Sequence, residues 1–108
     1  MHIVPSEDLS ADGGRFEGAG HGVAISAFVV DGAPGGGPRL HMHPYAEIFV
    51  LQQGRISVTV GDETVEAEGP QVIIAPPDTP HRFTNLGPGR ALMVNIHTAE
   101  TMTTEWLE

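Results

Sequence analysis

His41 and His43 stand two apart in the segment HMHPYAE (41–47), and Glu47 follows after Pro44. In a strand, residues i and i+2 point to the same side, roughly 6.5–7 Å apart along the chain. Two imidazoles so placed can bind one ion. Divalent first-row metals take imidazole and carboxylate together, at about 2.0–2.2 Å. Glu47 shares the odd parity of the two histidines. Pro44 interrupts the strand, however, so parity alone leaves open whether the carboxylate joins them. A third imidazole is on offer in PPDTPHRFTN (76–85), where His81 opens a further strand just after a proline-rich turn. The competing reading is a polar interior that holds no ion. Cysteine is absent, so any metal site must be built from imidazole, carboxylate or backbone groups. Tyr45 lies between these candidates. It either reaches the mouth of the site as a hydrogen-bond donor or acid, or sits on the surface beside Pro44.

The elements that must position these groups are short strands. RISVTV (55–60) alternates cleanly, with Ile56, Val58 and Val60 against Ser57 and Thr59. ETVEAE (63–68) follows it after Gly61-Asp62, a tight-hairpin signal. VAISAFVV (23–30), EIFVL (47–51), QVIIA (71–75), HRFTN (81–85) and ALMVNIH (91–97) complete about seven strands. Such strands with turns every 8–12 residues indicate an all-β antiparallel sandwich or barrel. Phe49, Leu51 and Phe83 lie on the ligand parity and are expected to point into one cavity, with Ile56 or Val58 beside them. In 91–97 the even set (Leu92, Val94, Ile96) is the more apolar and is expected to pack inward. Met93, Asn95 and His97 then face out, and His97 has no role. Residues 1–22 read as an N-terminal arm, irregular over 5–22, ahead of a single barrel domain at 23–108. The tail 97–108 suits one helical turn or an extra strand, and Trp106 suits a packing anchor across a dimer or over the barrel mouth.

These residues resemble the cupin superfamily. GGGPRLHMHPYAEIFVLQQG (35–54) is similar to its first motif, with Gly35, His41, His43, Glu47 and Gly54 at the family's spacing. GPQVIIAPPDTPHRFTN (69–85) is similar to the second through Pro76, His81 and Asn85. There Asp78 stands where glycine is usual, and Gly69 lies one residue too far from Pro76 unless Pro70 takes the glycine position. The resemblance implies an antiparallel double-stranded β-helix, the jelly-roll barrel of the cupins. It implies His41, His43, Glu47 and His81 as ligands of one divalent ion: iron, manganese, nickel, cobalt, copper or zinc. Asn85 is implied as a turn anchor. Octahedral geometry would leave two positions for water, dioxygen or substrate.

Fourteen acidic residues against five arginines give a net charge of −9. Nucleic acid and anionic lipid bind through clustered cations, so neither is expected as a partner. Arg39 and Arg82, each beside a histidine, are either scattered surface charges or the grip for one carboxylate or phosphate. No stretch approaches the roughly 20 apolar residues that cross a bilayer, and the N-terminus has no signal-peptide pattern. The expectation is a soluble cytoplasmic protein. EIFVL is apolar on both parities, so Ile48 and Val50 need cover outside the barrel, and a homodimer is expected. No nucleophile–base pair or phosphate loop is visible. Chemistry, if any, falls to the metal, with Glu47 doubling as proton acceptor and Tyr45 as acid. Three outcomes follow from the resemblance. The first is a quercetinase-like dioxygenase acting on a small enol or acid. The others are a non-catalytic metal or small-molecule binder, and a metal-dependent isomerase or cyclase.

Overall fold

The computed structural model describes residues 1–108. A short helix, α1 (Ser6–Ala11), leads into β1 (Arg15–Glu17), a 3₁₀ turn (Gly18–His21) and β2 (Ser26–Gly32). Eight strands follow: β3 (His41–Met42), β4 (Glu47–Gln53), β5 (Arg55–Val60), β6 (Glu63–Glu68), β7 (Gln71–Ala75), β8 (His81–Asn85), β9 (Ala91–His97) and β10 (Glu105–Trp106). One sheet has the order β1-β2-β9-β4-β7 and the other β10-β3-β8-β5-β6. All pairings are antiparallel. From β4 onward the chain passes repeatedly from one sheet to the other, which is the double-stranded β-helix.

Local sequence explains the register. Val60 pairs with Glu63 across Gly61-Asp62, and Gly61 supplies the positive φ of 63° that a two-residue turn needs. Gly54 joins β4 to β5 at φ 100°, where an added Cβ would lie 2.7 Å from Arg90 O. Asp78, at the usual glycine position, takes a left-handed φ of 56°, a conformation that Asp tolerates better than most residues. Between the sheets lie Phe49, Leu51, Ile56, Val58, Ala67, Ala75, Phe83, Ala91 and Met93, all buried. Full burial of a large aliphatic or aromatic side chain contributes about 1.5–3 kcal/mol.

Three expectations change, and one open alternative is resolved. Residues 5–22 are not irregular, because β1 pairs along β2 from Arg15↔Phe28 to Glu17↔Ser26. β2 starts at Ser26 rather than Val23, and Val23 and Ile25 are exposed. The fully buried Ser26 hydroxyl donates to Ala99 O (2.8 Å) and accepts from Gly18 N (3.3 Å), tying the N-terminal segment to the C-terminal one. The tail is an extra strand, with Trp106 opposite His41. In β9 the odd set Ala91, Met93, Asn95 and His97 is buried, while Leu92, Val94 and Ile96 face outward. β9 lies between β2 and β4, in register with Glu47 and Phe49. His97 finds polar partners inside, which offsets the cost of burying it.

The outward face of that sheet carries two cross-strand rows, Ala27–Ile96–Ile48–Ile74 and Val29–Val94–Val50–Val72. Val29, Val72 and Ile74 are more than half exposed there.

Candidate metal centre

Both sheets contribute to one cluster at the end of the barrel. β3 supplies His41, the link after it His43, and the start of β8 His81. His41 and His81 are direct cross-strand partners. Glu47 comes from the first residue of β4, in the opposite sheet. The chain crosses between the sheets over residues 43–46. Glu47 therefore meets the imidazoles by facing them, and the shared odd parity is not the cause. One ligand atom from each of His41, His43, Glu47 and His81 lies within 4.8 Å of every other, and all four residues are buried. Two ligands on one ion stand at most about 4.4 Å apart, so a small inward movement closes the set.

The hydrogen bonds decide what the cluster can bind. His41 Nδ1 donates to Arg39 O (2.7 Å), His43 Nδ1 to Thr103 O (2.8 Å) and His81 Nδ1 to Thr79 O (2.9 Å). A carbonyl only accepts, so each Nδ1 carries the proton and each Nε2 keeps its lone pair. His43 Nε2 and His81 Nε2 lie 2.9 and 3.1 Å from Glu47 Oε1. His43 Nε2 has no hydrogen-bond partner despite its burial. With neutral rings, acceptors face a carboxylate that is also an acceptor. A divalent cation satisfies all of them at once, and carbonyl-anchored imidazoles are how proteins prepare such ligands. The residues present fit a metal ion.

Electrostatics agrees. Burial by itself would raise the pKa of Glu47, but in the metal-free protein hydrogen bonds donated by the imidazoles of His43, His81 and His97 prevail and hold the carboxyl well below the usual range. Glu47 is therefore ionised, which suits a ligand and makes it a weak proton acceptor. Burial lowers the pKa of His41, and the neighbouring His81 and His43 act in the same direction; only the Arg39 carbonyl and Glu47 oppose this.

The cluster opens into a cavity of about 510 Å³ with an apolar lining that includes Phe28, Val30, Phe49, Phe83, Met102 and Trp106. Of the expected pocket residues, Phe49 and Phe83 line it. Leu51 does not: it is buried deeper in the core. Tyr45 is not at the mouth either. Its half-buried ring stacks on His43 (centroids 5.0 Å apart, planes 7° apart), and its hydroxyl lies 2.6 Å from His97 Nδ1. Trp106, half exposed, lines the cavity with its ring 5.0 Å from that of His41 and the Arg39 guanidinium stacked over it. Arg82 pairs with Glu108 on the surface. Asn85 is the expected turn anchor, donating to Gly32 O and Gly89 O and accepting from Gly87 N.

Among the lining residues that sequence reasoning missed are Arg15, Asn95 and His97. His97 Nε2 lies 3.5 Å from Glu47 Oε2, and Asn95 Oδ1 is buried without a partner. Two polar residues two apart on an otherwise aliphatic strand were the available signal.

A family model described as a cupin domain matches residues 28–97. The chain belongs to the cupin family. This cupin is 42% identical over 55 residues to "Polyketide synthase CurC" of Streptomyces cyaneus, a stretch covering 50% of this chain and 36% of that protein. Its fold is similar to a double-stranded β-helix protein from Klebsiella pneumoniae, with a TM-score of 0.71, 20% identity, and 79% and 76% of the two chains covered. It is also similar to the oxalate decarboxylase of Lactobacillus farciminis, with a TM-score of 0.76, 24% identity, and 86% and 30% covered. An oxalate oxidase gives a TM-score of 0.75 at 21% identity, with 86% and 53% covered. No helix is long and apolar enough to cross a membrane.

Proposed function

We propose that this cupin is a metal-dependent enzyme of the dioxygenase type, acting on an enolisable and largely apolar small molecule such as a β-dicarbonyl or a phenolic ketone. The observation that carries this is the set of four prepared ligands in the wall of an apolar cavity. A divalent ion held by His41, His43, Glu47 and His81 would supply a Lewis acid for an enol oxygen and, if redox-active, a means of engaging dioxygen. The chain's own residues do the rest. Phe28, Phe49 and Phe83 hold an apolar body and exclude water. Asn95 Oδ1 offers an acceptor to a substrate hydroxyl, and Arg15 at the rim offers a cation. A cavity of this size favours a drug-sized ligand over a two-carbon diacid, which would leave most of the lining bare.

Isomerisation or cyclisation without dioxygen is the second reading, since an ion held by the same four residues could act only to polarise a carbonyl. One experiment separates the two. Metal-loaded protein is given a panel of flavonols and 1,3-diketones in an oxygen electrode, with product masses measured. Oxygen uptake matched to substrate loss supports the first reading. An isomer or a dehydrated product without uptake supports the second. Melting shifts with ligand but no turnover across the panel would leave a binding protein.

We also propose that a second copy of the chain covers the outward aliphatic rows of the β1-β2-β9-β4-β7 sheet. Those eight positions carry no charge, so two chains of net charge −9 can meet there without opposing carboxylates.

A further inference from the structure

His97 is a fourth imidazole beside Glu47, buried at 2% exposure, and it is wired differently from the other three. Its Nδ1 faces no carbonyl. It faces the Tyr45 hydroxyl at 2.6 Å. That hydroxyl oxygen already accepts from Thr103 N (3.3 Å), and His43 Nδ1, a donor, lies 3.4 Å away. The Tyr45 proton therefore goes to His97 Nδ1. The ring proton of His97 is left on Nε2, facing Glu47 Oε2 at 3.5 Å. His41, His43 and His81 present lone pairs to the centre, whereas His97 presents a donor. A donor nitrogen cannot ligate a metal.

We infer that His97 is a positioning residue for the metal centre: it engages Glu47 Oε2, so that the carboxylate offers Oε1 alone to the ion. His43 and His81 lie nearest Oε1, and His97 Nε2 lies 3.5 Å from Oε2, so the two carboxylate oxygens face different imidazoles. Tyr45 fixes the tautomer that makes this possible. The consequence is a carboxylate that occupies one coordination position and leaves the cavity side open. This rests on the metal centre described above.

The test uses Co(II) as the probe ion, reading its dissociation constant and visible spectrum in the full chain. The variants are His97→Phe, which keeps a ring and removes the donor, His97→Gln, which restores an N–H near the Nε2 position, and Tyr45→Phe. Loss of a partner that orients a ligand typically weakens metal affinity roughly 10–100-fold, and His97→Phe is expected to fall in that range with an altered spectrum. His97→Gln is expected to return towards the parent in both readouts, with Tyr45→Phe intermediate. A His97→Phe protein with the parent's affinity and spectrum overturns the inference. If His97→Phe does not fold, Tyr45→Phe decides, and an unchanged affinity and spectrum there overturns it. A parent protein that binds no Co(II) sinks the metal centre itself and this inference with it.

Discussion

The two faces of the β1-β2-β9-β4-β7 sheet differ in an instructive way. The outward face carries two wholly aliphatic rows, from Ala27 to Ile74 and from Val29 to Val72. The inward face carries Glu47, Asn95 and His97 among its apolar residues, yet those three are nearly inaccessible to solvent. Hydropathy alone would turn the sheet over. The polar groups are tolerated inside because Glu47 and His97 find partners there, while Asn95 Oδ1 is left waiting for one. The less apolar face thus carries the candidate metal centre, and the more apolar face is the one proposed to meet a second copy.

The strongest way to break that contrast is to disarm the inner face. His41→Ala/His43→Ala is expected to lose bound metal entirely while retaining its sheets, checked by elemental analysis and circular dichroism. Equal metal in the variant and the parent would remove the cluster's claim to be the site. Next comes the outer face. Val72→Lys/Ile74→Lys is expected to convert a dimer to a monomer in sedimentation at micromolar concentration, with metal content unchanged. A parent that sediments as a monomer would sink the proposed dimer.

Protons distinguish the faces more gently. Folded His41 has its pKa lowered from 6.5, so the unfolded chain binds that proton more readily. Its contribution to stability is therefore present above about pH 6.5 and is lost as the pH falls through that value, by at most about 1.4 kcal/mol per pH unit for one proton. The depressed pKa of Glu47 contributes in the same sense at lower pH, from 4.5 downward. Melting temperatures of the metal-free protein should fall between pH 7.5 and 5.5, and the outer-face variant should show the same slope. A flat profile would contradict the buried imidazole assignment. The smallest expected effect is at Asn95. Replacing a buried, unpaired amide by an apolar group of similar shape stabilises proteins, here by about 1 kcal/mol. Asn95→Leu should melt higher, with its metal content intact. A lower melting temperature would show that the amide has a partner in the folded protein.

Much of this was legible in the sequence, for identifiable reasons. The period-two alternation of 55–60 and the Gly61-Asp62 turn specify a hairpin through local chemistry, and β5 and β6 fall where expected. The spacing of Gly35, His41, His43, Glu47 and Gly54, with His81 after its turn, marks the four side chains that the fold brings together. What remained hidden was the side of the barrel that each residue faces. Period two assigns residues to two faces without saying which is inside, and in β9 the apolar count points the wrong way. Parity leaves Glu47 undecided because it lies across the barrel, at the start of β4 in the opposite sheet, and only the motif spacing picks it out. The residues around Tyr45 leave it open between the site mouth and the surface, whereas its hydroxyl meets His97 Nδ1, 52 positions away. The pairing of β1 with β2 and of β10 with β3 also depends on long-range contacts, and 15–17 and 105–106 are too short to show a period.

The central claim is that His41, His43 and His81 through Nε2, and Glu47 through Oε1, hold one divalent ion. A crystal structure with anomalous data at the absorption edge of the metal found in the purified protein tests it most directly. The account predicts a single peak about 2.0–2.2 Å from those four atoms, with His97 outside the coordination shell. A peak elsewhere in the chain, or none in protein saturated with metal, would contradict it.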